Sequence, residues 1–329
     1  MIAPRPIPGT RWRWTLLSPA LACVPAQALA HASRTPTPDD IWSVWTLSPL
    51  PAVALLVVSW LYARGIGVIW RAGGRGRGIH RWQAGCFAAG MLALAIAILS
   101  PLDTLGDALL AAHMTQHMLF LVVAPPLLVL GAPLAPLLLA LPRGWRVRLV
   151  RGWRRSGPVQ PIWHALNHPA LAWGIAALVL WGWHVPWAYE AAIRYPFVHD
   201  IEHAMFLGSS LLFWWTVIQP VGRRRKQTYG TSLVLLFTTA LQGSALGVLM
   251  TFSSILWYPV YDGRTAPWHV TAIQDQHIAG AVMWVPGGIV YLLGILLVLG
   301  TWLGQDERQS AHSLAATGQQ KGVEQWVGS

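Results

Sequence analysis

Four histidines of this 329-residue chain stand in two pairs separated by one helical turn, His113 with His117 and His199 with His203. Residues four apart share one face of an α-helix, so each pair can aim two imidazoles at a single centre. His184 and His277 stand alone at the ends of apolar stretches, at a depth similar to the pairs. Two readings fit these six side chains. They ligate a metal ion or a haem iron, or they sit at a bilayer interface, bonded to headgroups or to Asp107, Asp200, Glu202 and Asp275. On the first reading His113, His117 and His203 are the leading ligands, with His199 and His184 as alternates and His277 as a further candidate. Met118 follows His117, and a thioether beside imidazoles suits Cu(I), although one helical step turns a side chain by about 100°. Asp200, Glu202 and Asp275 each lie within three residues of a candidate histidine, where a carboxylate can orient a ligand imidazole. The two cysteines, Cys23 and Cys86, are too few for a multi-thiolate site. Zinc and haem stay open beside copper.

The elements that must carry these residues are membrane helices. Hydrophobic residues make up 54% of the chain and charged residues only 11%, against roughly 25% in soluble domains. The 21 Trp fit a chain with many bilayer interfaces. Residues 1–30 read as a signal peptide or an uncleaved anchor: Arg5, Arg11 and Arg13, an apolar run, then Ala28-Leu29-Ala30. Cleavage there would leave His31 at the terminus, where its amine and imidazole together could chelate copper. An extracytoplasmic segment at 31–46 precedes a membrane domain at 47–303, and 304–329 reads as a disordered cytoplasmic tail rich in Gln, Ser, Ala and Gly.

Within the membrane domain seven apolar stretches fall near 47–70, 82–101, 105–126, 169–187, 199–219, 228–251 and 275–302. Of the 23 Lys and Arg, 17 lie after the first, third, fifth and seventh stretches or, for Arg64, in the closing turns of the first; three lie on the opposite side and three in the signal-like start. That split places the N-terminus outside and the C-terminus inside. The net charge of +11 is therefore topology rather than nucleic-acid binding. The expected fold is all-α and polytopic: seven transmembrane helices after a signal peptide. Pro125-Pro126 should kink the third helix ahead of a short re-entrant or interfacial piece, and Pro286-Gly287-Gly288 should bend the seventh. No P-loop, G-x-S-x-G, H-E-x-x-H or dinucleotide fingerprint occurs.

Several blocks together resemble the multi-spanning CtaG-type cytochrome c oxidase assembly proteins of bacteria. They are His113-Met114-Thr115-Gln116-His117-Met118 running into Ala124-Pro125-Pro126-Leu127, then Trp183-His184-Val185-Pro186, then His199-Asp200-Ile201-Glu202-His203. Asp275-Gln276-His277-Ile278-Ala279-Gly280 follows, ahead of Met283-Trp284-Val285-Pro286-Gly287-Gly288. The likeness covers about residues 45–303. It implies a non-enzymatic factor of the bacterial inner membrane that matures a haem-copper oxidase by handling copper. The oxidase subunits would be its partners, a periplasmic copper chaperone its donor, and the metal site would face outward. The matching positions are His113, His117, His184, His199, His203, Asp275 and His277. Other classes compatible with the same residues are a zinc- or iron-dependent membrane hydrolase or oxidase with Glu202 or Asp275 as base, a haem protein, a copper permease and a scaffold.

Overall fold

A computed structural model of the chain describes residues 36–45, 48–218 and 229–327, with side chains as far as 304. The signal-like start, His31 and the basic run Arg223–Lys226 lie outside the described residues. No strand occurs among the described residues. We number the helices α1 Pro49–Gly73, α2 Arg81–Leu99, α3 Pro101–Leu105, α4 Leu110–Met118, α5 Ala124–Leu130, α6 Leu134–Ala140 and α7 Arg143–Arg155. They continue as α8 Val159–Leu166, α9 Pro169–Trp183, α10 Pro186–Arg194, α11 Pro196–Ile218, α12 Tyr229–Thr251 and α13 Ala272–Val327. Proline opens α1, α3, α9 and α10, where its missing N–H costs nothing.

Six helical stretches are long and apolar enough to cross a bilayer: α1, α2, Leu110–Leu130, α11, α12 and Ala272–Gly304. The chain is thus a multi-pass helical membrane protein. The fourth expected crossing differs from the rest. With 15 residues, α9 is about 22 Å long, short of a hydrocarbon core of about 30 Å. It reaches seven crossings only if α8, bent from it by 74°, counts in the same span. The bounds of α13 run past Gly304 into the stretch expected to lack structure, whose Ala, Gln and Glu residues are good helix formers. Pro286 lies inside that helix without interrupting it.

The third span shows how prolines are accommodated. Pro125 and Pro126 have no N–H, so the carbonyls of Leu121 and Val122 lose their usual helical donors. The backbone widens to a π-helix over Leu119–Val123 between α4 and α5. Ser210 Oγ at 2.5 Å and Trp214 Nε1 at 3.3 Å, both on α11, donate to the freed carbonyl of Leu121. After α5 the chain turns at Gly131, whose carbonyl accepts from the buried Tyr62 hydroxyl at 2.6 Å, and α6 packs on α1.

Two glycines seat α13. A Cβ at Gly247 would lie 2.8 Å from the carbonyl oxygen of Gly280, and one at Gly280 would lie 2.5 Å from that of Gly247. Neither is tolerable, so α12 and α13 touch backbone to backbone. This contact sets where the start of α13 meets α4. There the Asp275 carboxylate accepts from the N–H of Leu110 at 2.6 Å and of Ala111 at 3.2 Å. First-turn amides have no intrahelical acceptor, and a carboxylate also complements the positive end of the helix. Asp275 therefore positions the helix that carries His113 and His117.

Candidate metal centre

On α11 the residues His199, Glu202, His203 and Phe206 follow the i, i+3, i+4, i+7 pattern of one helical face. That face meets the His113/His117 face of α4. The ligand atoms of His113, His199, Glu202 and His203 all lie within 4.8 Å of one another. Glu202, fully buried, stands 3.7 Å from His113 Nε2 and 3.8 Å from His117 Nε2 through its two oxygens. The rings of His199 and His203 are 4.0 Å apart, those of His113 and His117 4.3 Å, and those of His117 and His203 5.6 Å.

His184 joins from the end of α9, its ring 6.1 Å from that of His117. Its Nδ1 lies 2.7 Å from the carbonyl of Leu180. A carbonyl only accepts, so Nδ1 carries the proton and Nε2 is left with a free lone pair. A backbone carbonyl holding the second nitrogen is the usual support of a metal-ligating imidazole.

Few of these polar atoms are satisfied. His113 Nε2, both nitrogens of His117, His184 Nε2, His203 Nε2 and both oxygens of Glu202 are buried without a hydrogen-bond partner among the described residues. Buried polar groups normally have partners, because leaving one unmade costs about 1–3 kcal/mol. So many orphans converging on one point fit a cation bound among them. Imidazole and carboxylate without sulfur suit zinc, copper or iron.

A layer of phenols covers the cluster. The Tyr189 ring lies 5.2 Å from that of His113 and 4.0 Å from that of Tyr258. Tyr189 donates to the Tyr261 hydroxyl at 2.9 Å, and Tyr261 donates to the carbonyl of Gly106 at 2.8 Å. Tyr258 donates to the carbonyl of His184 at 2.9 Å. Burial pushes all three phenols above their ordinary range, so they stay neutral donors. Gly106 itself fits against a ligand, since a Cβ there would sit 3.3 Å from His113 Nδ1. Phe206 and Phe120 also pack on the cluster, their tilted rings 4.6 Å from His117 and 4.5 Å from His203.

Of the candidate residues, His113, His117, His184, His199 and His203 meet here, and Glu202 sits among them rather than behind them. The others go elsewhere. Asp275 is spent on the amides of α4. His277 donates to the carbonyl of Ser253 at 2.9 Å, and its neighbour Gln276 bonds Trp257 N at 2.7 Å and the Ile255 carbonyl at 3.0 Å. These two residues fasten the loop between α12 and α13. Asp200, one step from His199, is turned out and exposed. Met118, one step from His117, faces a separate cavity of about 50 Å³ with Met283, Gln242 and Gly287. Sequence reasoning missed Tyr189, Tyr258 and Tyr261; their signal was the aromatic density around Trp187-Ala188-Tyr189 and Trp257-Tyr258-Pro259-Val260-Tyr261.

Fold and site define a multi-pass helical membrane protein with a buried histidine–glutamate cluster. The chain belongs to the cytochrome c oxidase caa3 assembly factor (Caa3_CtaG) family, whose profile matches residues 60–305. It is similar to uncharacterized proteins of Mycobacterium bovis and Mycobacterium tuberculosis, each 28% identical over 281 residues, 84% of this chain and 42% of theirs. An uncharacterized protein of Mycobacterium leprae is 27% identical over 290 residues, 83% of this chain and 42% of its own. The chain thus spans less than half the length of these relatives. No solved structure matches it.

Proposed function

We propose that this protein binds copper in the His113/His199/Glu202/His203 cluster and delivers it, as cargo, to a haem-copper oxidase during assembly. The observation that carries the reading is the convergence of those four ligand atoms within 4.8 Å, amid orphaned buried donors and acceptors. Family membership supports the destination. His117 and His184, flanking the four, offer further nitrogens to which the ion can be handed. The excess of Lys and Arg on one side supports a cluster facing the outside of the cell membrane, where an oxidase copper centre would be loaded. Of the two carboxylates that an enzyme would use as a base, Asp275 is taken up by the amides of α4, and on this reading Glu202 serves as a ligand rather than a base.

Cells whose own copy is replaced by a His113→Ala/His203→Ala variant should make oxidase with copper at background level, whereas His277→Ala should leave oxidase copper unchanged. Normal copper in oxidase from the double variant would refute delivery. Zinc or haem in the purified protein, with normal oxidase copper, would move the cluster to another chemistry.

A further inference from the structure

Helix α7 has six arginines in 13 residues, Arg143, Arg146, Arg148, Arg151, Arg154 and Arg155. No acidic residue occurs anywhere from Ala108 through Tyr189. Among the described residues none of the six is ion-paired, and no residue of α7 is buried. The helix also has a second face. Trp145, Leu149 and Trp153 recur every four residues and form one stripe, yet they are 61%, 51% and 45% exposed. Arg148, Arg151 and Arg155 form a separate face, and the Arg148 guanidinium lies 6.0 Å from the Trp145 ring. Beyond α7, Trp163 of α8 packs edge-on against Trp153 at 5.8 Å, and Gln160 donates to the carbonyl of Trp153. An apolar α6 precedes the helix and an apolar α9 follows α8, so both ends are tethered to membrane-embedded chain.

We infer that α7 lies in the surface of an anionic bilayer, with the Trp145/Leu149/Trp153 stripe sunk to the acyl boundary and the arginines bonded to lipid phosphates. An amphipathic helix with aromatic and leucine residues on one face and arginines on another is built for that interface. A nucleic acid would satisfy the arginines but leave two indoles and a leucine in water. The role goes beyond the topological one of a positive loop. It makes the seating of the α6–α9 segment depend on lipid charge, and α9 ends at His184.

The test uses the full-length protein in nanodiscs, with Cys23→Ser and Cys86→Ser and an environment-sensitive fluorophore attached through either Leu149→Cys or Arg151→Cys. In discs containing phosphatidylglycerol, emission at position 149 should shift to the blue and emission at 151 should not. In phosphatidylcholine discs the shift should be lost. A labelled Arg148→Gln/Arg151→Gln/Arg155→Gln variant should behave likewise, since each arginine near an anionic surface contributes about fivefold in partition. A probe at 149 that stays in water in phosphatidylglycerol overturns the inference. So does an equal shift in both lipids, or one that appears only when an acidic protein is added.

Discussion

Two polar regions of this molecule lie within apolar helices and end very differently. At the start of α13, Asp275, Gln276 and His277 each reach backbone groups: the amides of α4, and the loop backbone between α12 and α13 at Ile255, Trp257 and Ser253. In the histidine cluster, Nε2 of His113 and of His203, both nitrogens of His117 and both oxygens of Glu202 have no hydrogen-bond partner among the described residues. The first region is a clamp whose polar atoms are consumed in holding the fold. The second leaves polar atoms unbonded at a cost in folding free energy, which supports the proposed metal site.

The largest effect should come from breaking the cluster. His113→Ala removes a nitrogen from the central group and should lower metal affinity by more than the 10- to 100-fold typical of losing a ligand-orienting partner, as read by titration of the purified protein. Fold should survive, because no hydrogen bond is lost at Nε2. Glu202→Leu sharpens the contrast further. It should abolish metal binding yet raise the thermal midpoint of the metal-free protein, since a buried carboxylate without a bonded partner is replaced by an apolar side chain.

Breaking the clamp should do the reverse. Asp275→Ala strands the N–H groups of Leu110 and Ala111 and should cost about 2–4 kcal/mol in stability, measured by unfolding in detergent. Metal lost in that variant should return when the protein is stabilised. His277→Ala gives up one bond to the Ser253 carbonyl, about 1 kcal/mol, and should leave metal content unchanged.

The smallest effect concerns the phenol layer. Burial raises the folded-state ionisation of Tyr189, Tyr258 and Tyr261 above the unfolded value of about 10. Their contribution is therefore complete below pH of about 10 and declines above it as the unfolded phenols ionise. Stability against pH should be level from neutral to mildly alkaline conditions and fall beyond, and Tyr189→Phe should make that fall shallower.

Much of this was legible in the residues themselves. The two i, i+4 pairs name their own helix faces, and the lopsided charge marks the loops. What sequence could not supply is helix phase relative to a neighbour. Asp200 and Glu202 flank the same histidines, but only the side of α11 that meets α4 decides that Glu202 enters the cluster while Asp200 faces outward. Asp275 read as a carboxylate that orients a ligand imidazole and His277 as a ligand candidate at the depth of the pairs, whereas the packing of α13 on α4 and on the α12–α13 loop gives them backbone partners instead. The π-helical widening before Pro125 likewise depends on Ser210 and Trp214, about ninety residues away. Tyr189 and Tyr261 meet only through the fold.

The most direct measurement is the metal content of the purified full-length protein under reducing conditions, with X-ray absorption at the metal edge, for the wild type, Glu202→Gln and His277→Ala. Copper delivery requires about one copper per chain with nitrogen and oxygen neighbours and no sulfur, lost in Glu202→Gln and kept in His277→Ala. Copper retained in Glu202→Gln, or lost in His277→Ala, would contradict it.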